Sequence, residues 1–372
     1  MRFEFATAQR IVFGEGAVRD VPAAARAFGS RAILVRGSSP DRAAPLRSSV
    51  EAAGVRCEEF IVSGEPTVEV IRSAPRSADL VIAIGGGSVL DAGKAVAALL
   101  TNPGDPMDYL EVIGRAQPLT VTAAPCIAIP TTAGTGSEVT RNSVLGSPEH
   151  RVKASVRSAS MLPRLAVVDP ELTLQLPRAI TVSTGLDALT QLIEPYLSVR
   201  ANPMTDALCV QGIPYAARAL EALWERPGDR EMRSAMSFAS LLGGMALANA
   251  ALGAVHGFAA PIGGMFPAPH GAVCAALLPH VLAINLRAAT DRRRFDELAR
   301  LVTGNGQATA EDGVNWVAGL CRKLEVPALR TCGLSEADLP VLVEKASQAS
   351  SMKGNPVRLS VADLNEILSR AL

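Results

Sequence analysis

Hydrophobic positions along this chain change rhythm once, near Leu176-Pro177. Upstream, four apolar runs of strand length occupy residues 32–35, 80–84, 126–129 and 165–168. Runs apolar on both faces and separated by helical stretches predict a mostly parallel sheet covered on both sides. Helical patterns over 42–54 and 91–100 follow the first two runs. Residues 1–6 lack the apolar core of a signal peptide, and 3–13 read as a strand whose edge could pair across a dimer. Downstream, Ala/Leu-rich periodicity predicts helices over 184–197, 203–223, 229–251, 270–285, 291–302, 310–324, 336–347 and 361–372. Polar breaks at 226–229 and 303–306 read as loops. The expected organisation is an α/β domain over 1–178, then an all-α domain over 179–372, with ligands in a cleft between them.

The length of 372 residues agrees with two domains. Lys+Arg and Asp+Glu both number 36, so no net field draws the chain to nucleic acid or an anionic membrane. The six cysteines, Cys57, Cys126, Cys209, Cys274, Cys321 and Cys332, show no Cys-x-x-Cys spacing, and several sit in apolar runs. They read as buried free thiols in a reducing compartment, the cytoplasm. Residues 235–265 are almost free of charge, but their glycines, Asn249 and His256 suit a buried helix rather than a membrane span.

Chemistry enters with two loops. Gly85-Gly86-Gly87-Ser88 follows the second strand and precedes a helix expected to begin near Val89 or Leu90. Glycines let the backbone approach a pyrophosphate, and amides at a helix start donate to it. Ser88 is a candidate N-cap, with Asp91 as its capping-box partner. The segment 130–140, Pro-Thr-Thr-Ala-Gly-Thr-Gly-Ser-Glu-Val-Thr, follows the third strand and offers hydroxyls to a ribose or adenine. Either loop alone could be an unliganded turn. Two of them at strand C-terminal ends of one sheet point to a shared nucleotide crevice.

The four histidines are unevenly placed. His256 and His270 fall in one Gly/Pro-rich stretch, while Asp187 and Gln191 are spaced i,i+4 and share one helical face. A carboxylate and two imidazoles read as three ligands of a divalent metal with an open position. His280 reads as structural and His150 as solvated.

The ordered set of the Gly85–Ser88 loop with Asp91, the Pro-Thr-Thr-Ala-Gly-Thr-Gly-Ser-Glu segment, Thr-Gly-Leu-Asp-Ala-Leu-Thr and His-Gly…Pro-His-Gly resembles the iron-containing (group III) alcohol dehydrogenase family over nearly the whole chain. The resemblance implies a Rossmann-like dinucleotide-binding sheet domain, a metal-binding helical domain of dehydroquinate-synthase-like architecture, and reversible hydride transfer between alcohol and carbonyl. By it, Gly86, Gly87 and Ser88 hold the pyrophosphate, and Thr131, Thr132 and Ser137 belong to the nucleotide pocket. Lys153, otherwise a surface lysine, matches a lysine near the nicotinamide, and Asp187, Gln191, His256 and His270 fall at metal-ligand positions. Lys153 and His256 are the expected catalytic residues, and a homodimer is expected.

Four positions depart from the family pattern. Gln191 replaces a ligand histidine; its amide oxygen is the poorer donor, so Fe(II) or Zn(II) should bind weakly or not at all. Ala260 stands where a proton-handling histidine is common, leaving protonation to water or a cofactor hydroxyl. The first strand runs into Arg36-Gly37-Ser38-Ser39 where NAD-preferring members carry Asp. Gly37 removes that repulsion and Arg36, Ser38 and Ser39 add donors, so NADP(H) is expected over NAD(H). Glu65 replaces a common asparagine without an evident reason.

The expected activity is metal-assisted, NAD(P)-dependent reduction of a small aldehyde or ketone to its alcohol. A maleylacetate-reductase-like enzyme, a lyase on the same scaffold and a metal-free nucleotide binder are the competing readings.

Overall fold

The computed structural model describes residues 2–372, and Met1 lies outside them. Two compact units emerge, one of Thr7–Thr132 with Gly136–Gln175, the other of the N-terminal residues through Ala6, Ala133–Thr135 and Leu176–Leu372.

The first unit carries, in chain order, β1 (Ile11–Phe13), α1 (Val21–Phe28), β2 (Arg31–Arg36), α2 (Ala44–Ala52), β3 (Arg56–Ile61), α3 (Val68–Arg72), β4 (Leu80–Gly85), α4 (Gly87–Thr101), α5 (Pro106–Tyr109), β5 (Cys126–Pro130), β6 (Asn142–Ser147), β7 (Val152–Arg157) and β8 (Leu165–Val168). Six strands form a parallel sheet in the order β1-β8-β5-β4-β2-β3, and β6 and β7 form an antiparallel hairpin.

The two-sided apolar runs have a direct cause. Alternate side chains of a strand leave on opposite faces, and both faces here are covered. Ile33, Val35, Val81 and Ala83 join a core with α4. Ala32, Leu34, Leu80 and Ile82 join another with Val21 and Ala25 of α1 and Leu46 and Val50 of α2. Helix α4 lies so close to the sheet that a Cβ on Gly93 would fall 2.5 Å from the Ala83 Cβ.

Three strands escape the sequence pattern. β3 is an edge strand whose run, Arg-Cys-Glu-Glu-Phe-Ile, buries only Cys57 and Phe60. The β6–β7 hairpin, Asn-Ser-Val-Leu-Gly-Ser and Val-Lys-Ala-Ser-Val-Arg, mixes polar and apolar residues without a continuous apolar run. The N-terminal strand expected over 3–13 is confined to Ile11–Phe13, because only these residues reach a ladder partner, β8.

The second unit is helical: α6 (Arg178–Leu197), α7 (Pro203–Glu225), α8 (Arg230–Ala250), α9 (Ala254–Met265), α10 (His270–Ala288), α11 (Arg293–Thr303), α12 (Ala310–Lys323), α13 (Leu339–Gln348) and α14 (Val361–Ala371). α6 is its axis, packed by α7, α8 and α10, with nearly every residue from Gly185 to Leu197 buried. The charge-free stretch 235–265 is two helices, α8 and α9, bent by 97° at a break where Ala251 takes a positive φ of 61°. Among the described residues only α10 is by itself long and apolar enough to cross a membrane, and it is a core helix that carries polar site residues.

Candidate active site

In the α/β unit, β4 and β5 are neighbours, so the two loops leave adjacent strand ends. Helix α4 starts earlier than its sequence implies. Gly86 is the N-cap and Gly87 the first helical residue, which places Ser88 inside the first turn, and no side chain caps the helix. The Ser88–Asp91 capping box therefore does not form. Asp91 lies a turn further in, where its carboxylate accepts from the Ser137 hydroxyl and, at 2.9 Å, from the Val144 amide. The first amides of the helix remain open to an anion, as an uncapped N-terminus requires.

Lys94, three residues beyond Asp91, is fully buried and ties the second loop down. Its Nζ donates to the Ser137 carbonyl at 3.0 Å and the Thr140 hydroxyl at 2.9 Å, and it pairs with Asp91 at 3.1 Å. Ser137 thus holds its loop in place, its hydroxyl turned inward, whereas Thr132 reaches towards Gly86, 3.5 Å from where a Cβ there would stand. Glu138, next to it, is sealed from solvent, and that burial pushes its pKa up to about 7.

Two further residues read differently in three dimensions. Arg36 is not a free donor: its guanidinium is committed to Glu59 through bonds of 2.9 and 2.7 Å and to the Gly37 carbonyl. Ser38 and Ser39 remain exposed. Lys153 is nearly buried rather than a surface lysine, and its Nζ lies 3.2 Å from Oε1 of Glu65. Glu65, without a reason in the sequence, is the ion-pair partner of Lys153.

In the helical unit, α6 presents Asp187, Gln191 and Glu194 along one face, α9 supplies His256, and the first turns of α10 supply His270 and Cys274. The structure brings all four sequence-predicted metal-site residues together and adds two. Nε2 of His256 lies 3.4 Å and Nε2 of His270 3.7 Å from Oδ1 of Asp187. The two rings stand 5.3 Å apart at a 53° tilt. Asp187, His256, His270 and Cys274 hold one donor atom each within 4.8 Å of one another. α10 comes close to α6 because residue 271 is glycine: a Cβ there would sit 2.3 Å from the Ser183 carbonyl oxygen.

Glu194 fixes the cluster's orientation. Its Oε2 accepts from Nδ1 of His256 at 2.7 Å and its Oε1 from the Val255 amide at 2.7 Å. With Nδ1 committed to Glu194, it is Nε2 that faces Asp187. Burial disfavours a charged His256, yet Cys274, Asp187 and Glu194 outweigh it and raise its pKa well above the usual imidazole range. Burial likewise opposes ionisation of Asp187, and the imidazoles of His270 and His256 still hold it below the ordinary carboxylate value.

Glu194 had a sequence signal, its i+7 spacing from Asp187. Cys274 had one too, its i+4 spacing from His270.

A divalent cation fits these residues. Oδ1 of Asp187 and Oε1 of Gln191 are buried with no hydrogen-bond partner among the described residues, beside two imidazole nitrogens. Orphaned buried oxygens are costly, and a cation among them and the imidazoles would supply the missing partner.

Residues 8–170 match the family model described as iron-containing alcohol dehydrogenase, and residues 181–372 match its C-terminal counterpart. The chain belongs to the iron-containing alcohol dehydrogenase family. It is 37% identical to "Alcohol dehydrogenase 4" of Saccharomyces cerevisiae over 297 residues, 80% of this chain and 76% of that one. It is 31% identical to the "NAD-dependent methanol dehydrogenase" of Bacillus methanolicus over 379 aligned residues, 97% of each chain. A solved 1,3-propanediol oxidoreductase superposes over 100% of both chains with a TM-score of 0.94 at 32% identity. The protein is thus an alcohol-dehydrogenase-type oxidoreductase, and its family implies a divalent metal and a nicotinamide dinucleotide. The lyase and nucleotide-only readings are not favoured.

Proposed function

We propose that this protein interconverts a small aldehyde or ketone and its alcohol, with NADP(H) as redox partner and a divalent metal at Asp187, His256 and His270. The observation that carries the proposal is the buried, unpartnered Oδ1 of Asp187 facing two imidazole nitrogens at 3.4 and 3.7 Å. When bound, the metal supplies Lewis-acid polarisation of the carbonyl oxygen, and the nicotinamide supplies the hydride.

The chain's own residues then have separate tasks. Glu194 engages Nδ1 of His256 and leaves Nε2 turned to the position a metal would take. Gln191, one turn along α6 from Asp187, presents a buried amide oxygen beside that carboxylate. The amides of Gly87 and Ser88 at the start of α4 face a pyrophosphate, with Gly86 admitting its close approach. Thr131 and Thr132 line the nucleotide pocket, with Ser137, Asp91 and Lys94 fixing their loop. Lys153, aligned by Glu65, binds near the nicotinamide. Gly37 and Ser38 border the ribose; the missing carboxylate and the free hydroxyls favour a 2′-phosphate. Ala260 carries no proton donor, so water or a ribose hydroxyl completes the alcohol. Assembly as a cytoplasmic homodimer belongs to the same reading.

The test is reduction of short aldehydes by NADPH before and after exhaustive chelation. Loss of activity on chelation and its return with Fe(II) or Zn(II) is expected. Undiminished reduction by metal-free protein would remove the metal from the reaction.

A further inference from the structure

Gln191 occupies a metal-ligand position with a weak donor, and the structure places a strong one beside it. Cys274 is fully buried, and its Sγ lies 3.8 Å from Nε2 of His256 and 3.7 Å from Nε2 of His270. It sits one helical turn beyond His270 on α10, so both side chains leave one face of the helix towards Asp187.

The donor atoms converge as ligands of one ion would. A tetrahedral ion with bonds of about 2.0–2.1 Å to nitrogen or oxygen and about 2.3 Å to sulfur separates nitrogen and oxygen ligands by about 3.3–3.4 Å and sulfur from either by about 3.5–3.6 Å. The observed 3.4 and 3.7 Å between oxygen and nitrogen, and 3.7 and 3.8 Å between sulfur and nitrogen, lie within about 0.4 Å of those values, a small contraction from coordination. As a hydrogen bond the 3.4 Å contact would be long, and Oδ1 of Asp187 has no such partner among the described residues. Gln191, one turn along α6 from Asp187, offers only a neutral amide oxygen, the weaker donor.

We infer that Cys274 is a metal ligand through its thiolate, restoring with Asp187, His256 and His270 the four-donor set that Gln191 leaves short, and that this set prefers Zn(II) to Fe(II). The inference rests on the proposed metal site. A thiolate is a softer donor than an imidazole, and among borderline ions it selects zinc over ferrous iron.

The experiment uses the purified full chain, stripped of metal and titrated with Co(II) and Zn(II). Stoichiometric Co(II) should produce visible ligand-field bands together with a near-ultraviolet thiolate-to-cobalt charge-transfer band. Cys274→Ser should keep the visible bands, lose the charge-transfer band, and bind Zn(II) at least about tenfold more weakly in competition with a chromophoric chelator, with a smaller loss for Fe(II). X-ray absorption of the zinc-loaded wild type needs no variant and should show one sulfur at about 2.3 Å. One bound Co(II) without charge transfer, or a zinc shell of nitrogen and oxygen alone, overturns the thiolate assignment and leaves the metal site standing. No stoichiometric metal in the wild type overturns both.

Discussion

The Nδ1 of His256 donates to Oε2 of Glu194 across 2.7 Å, in a pair only 6% exposed on either side. Glu194 is one turn past Gln191 and two turns past Asp187, so a single face of α6 provides both the carboxylate that faces the cluster and the one that orients its imidazole. Outer carboxylates of this kind raise ligand basicity and fix the tautomer. Glu194→Gln should weaken metal binding about 10–100-fold, measured by competition with a chelator, while the far-ultraviolet spectrum stays unchanged. An unaltered metal affinity would mean that His256 needs no such partner.

Gly37 tests the dinucleotide. Its backbone needs no positive φ, and a Cβ there meets nothing closer than Val89 Cγ2 at 4.0 Å, so Gly37→Asp introduces charge without a clash. With Arg36 held by Glu59, the new carboxylate would be free to accept from a ribose 2′-hydroxyl and to repel a 2′-phosphate. The ratio of kcat/KM for NADPH over NADH should fall by at least about tenfold, the equivalent of about 1.4 kcal/mol. A ratio that does not move would show that this position is remote from the ribose.

The sheet and most helices were legible because their patterns are set by burial on both faces or on one stripe. β2, β4, β5 and β8 read as apolar runs since every interior side chain enters a core. β3 did not, since an edge strand buries half of its residues at most, and Glu58 and Glu59 interrupt the run. Asp187, His256 and His270 were legible as chemistry, because such groups are rare in apolar sequence. Cys274 was not: a cysteine in an apolar run is ordinarily packing, and its new role depends on how closely α10 lies against α6. Arg36 was misread as a free donor for a similar reason. Its partner Glu59 is 23 residues away on the neighbouring strand, and only the parallel register of β2 and β3 joins them.

That close approach of α10 to α6 can be tested directly. Gly271→Ala would drive a methyl to within 2.3 Å of a backbone oxygen, which no rotamer relieves, so α10 must shift. The strain should cost about 1–3 kcal/mol and displace His270 and Cys274 from Asp187. Thermal unfolding should show the loss of stability, and metal stoichiometry should fall with it. Gly93→Ala is the control. It introduces a 2.5 Å contact in the α/β unit, so it should lower stability while the isolated metal affinity is retained.

The last prediction concerns pH. Glu138 is fully buried, and desolvation raises its pKa from the ordinary 4.5 to about 7, with Lys94 only partly opposing the rise. Between these values the folded chain holds a proton that the unfolded chain has released. Stability from this group is therefore complete below pH 4.5, falls as pH rises through about 7, and is level above it. The full penalty above that range is of order 3 kcal/mol, since each pKa unit corresponds to about 1.4 kcal/mol. Glu138→Gln keeps the shape and removes the ionisation. At pH 4 its melting temperature should equal that of the wild type, and at pH 8 it should exceed it by several degrees, read in parallel calorimetric scans. The same gain at both pH values would locate the effect in packing, and no gain at pH 8 would show that Glu138 ionises without cost in its loop.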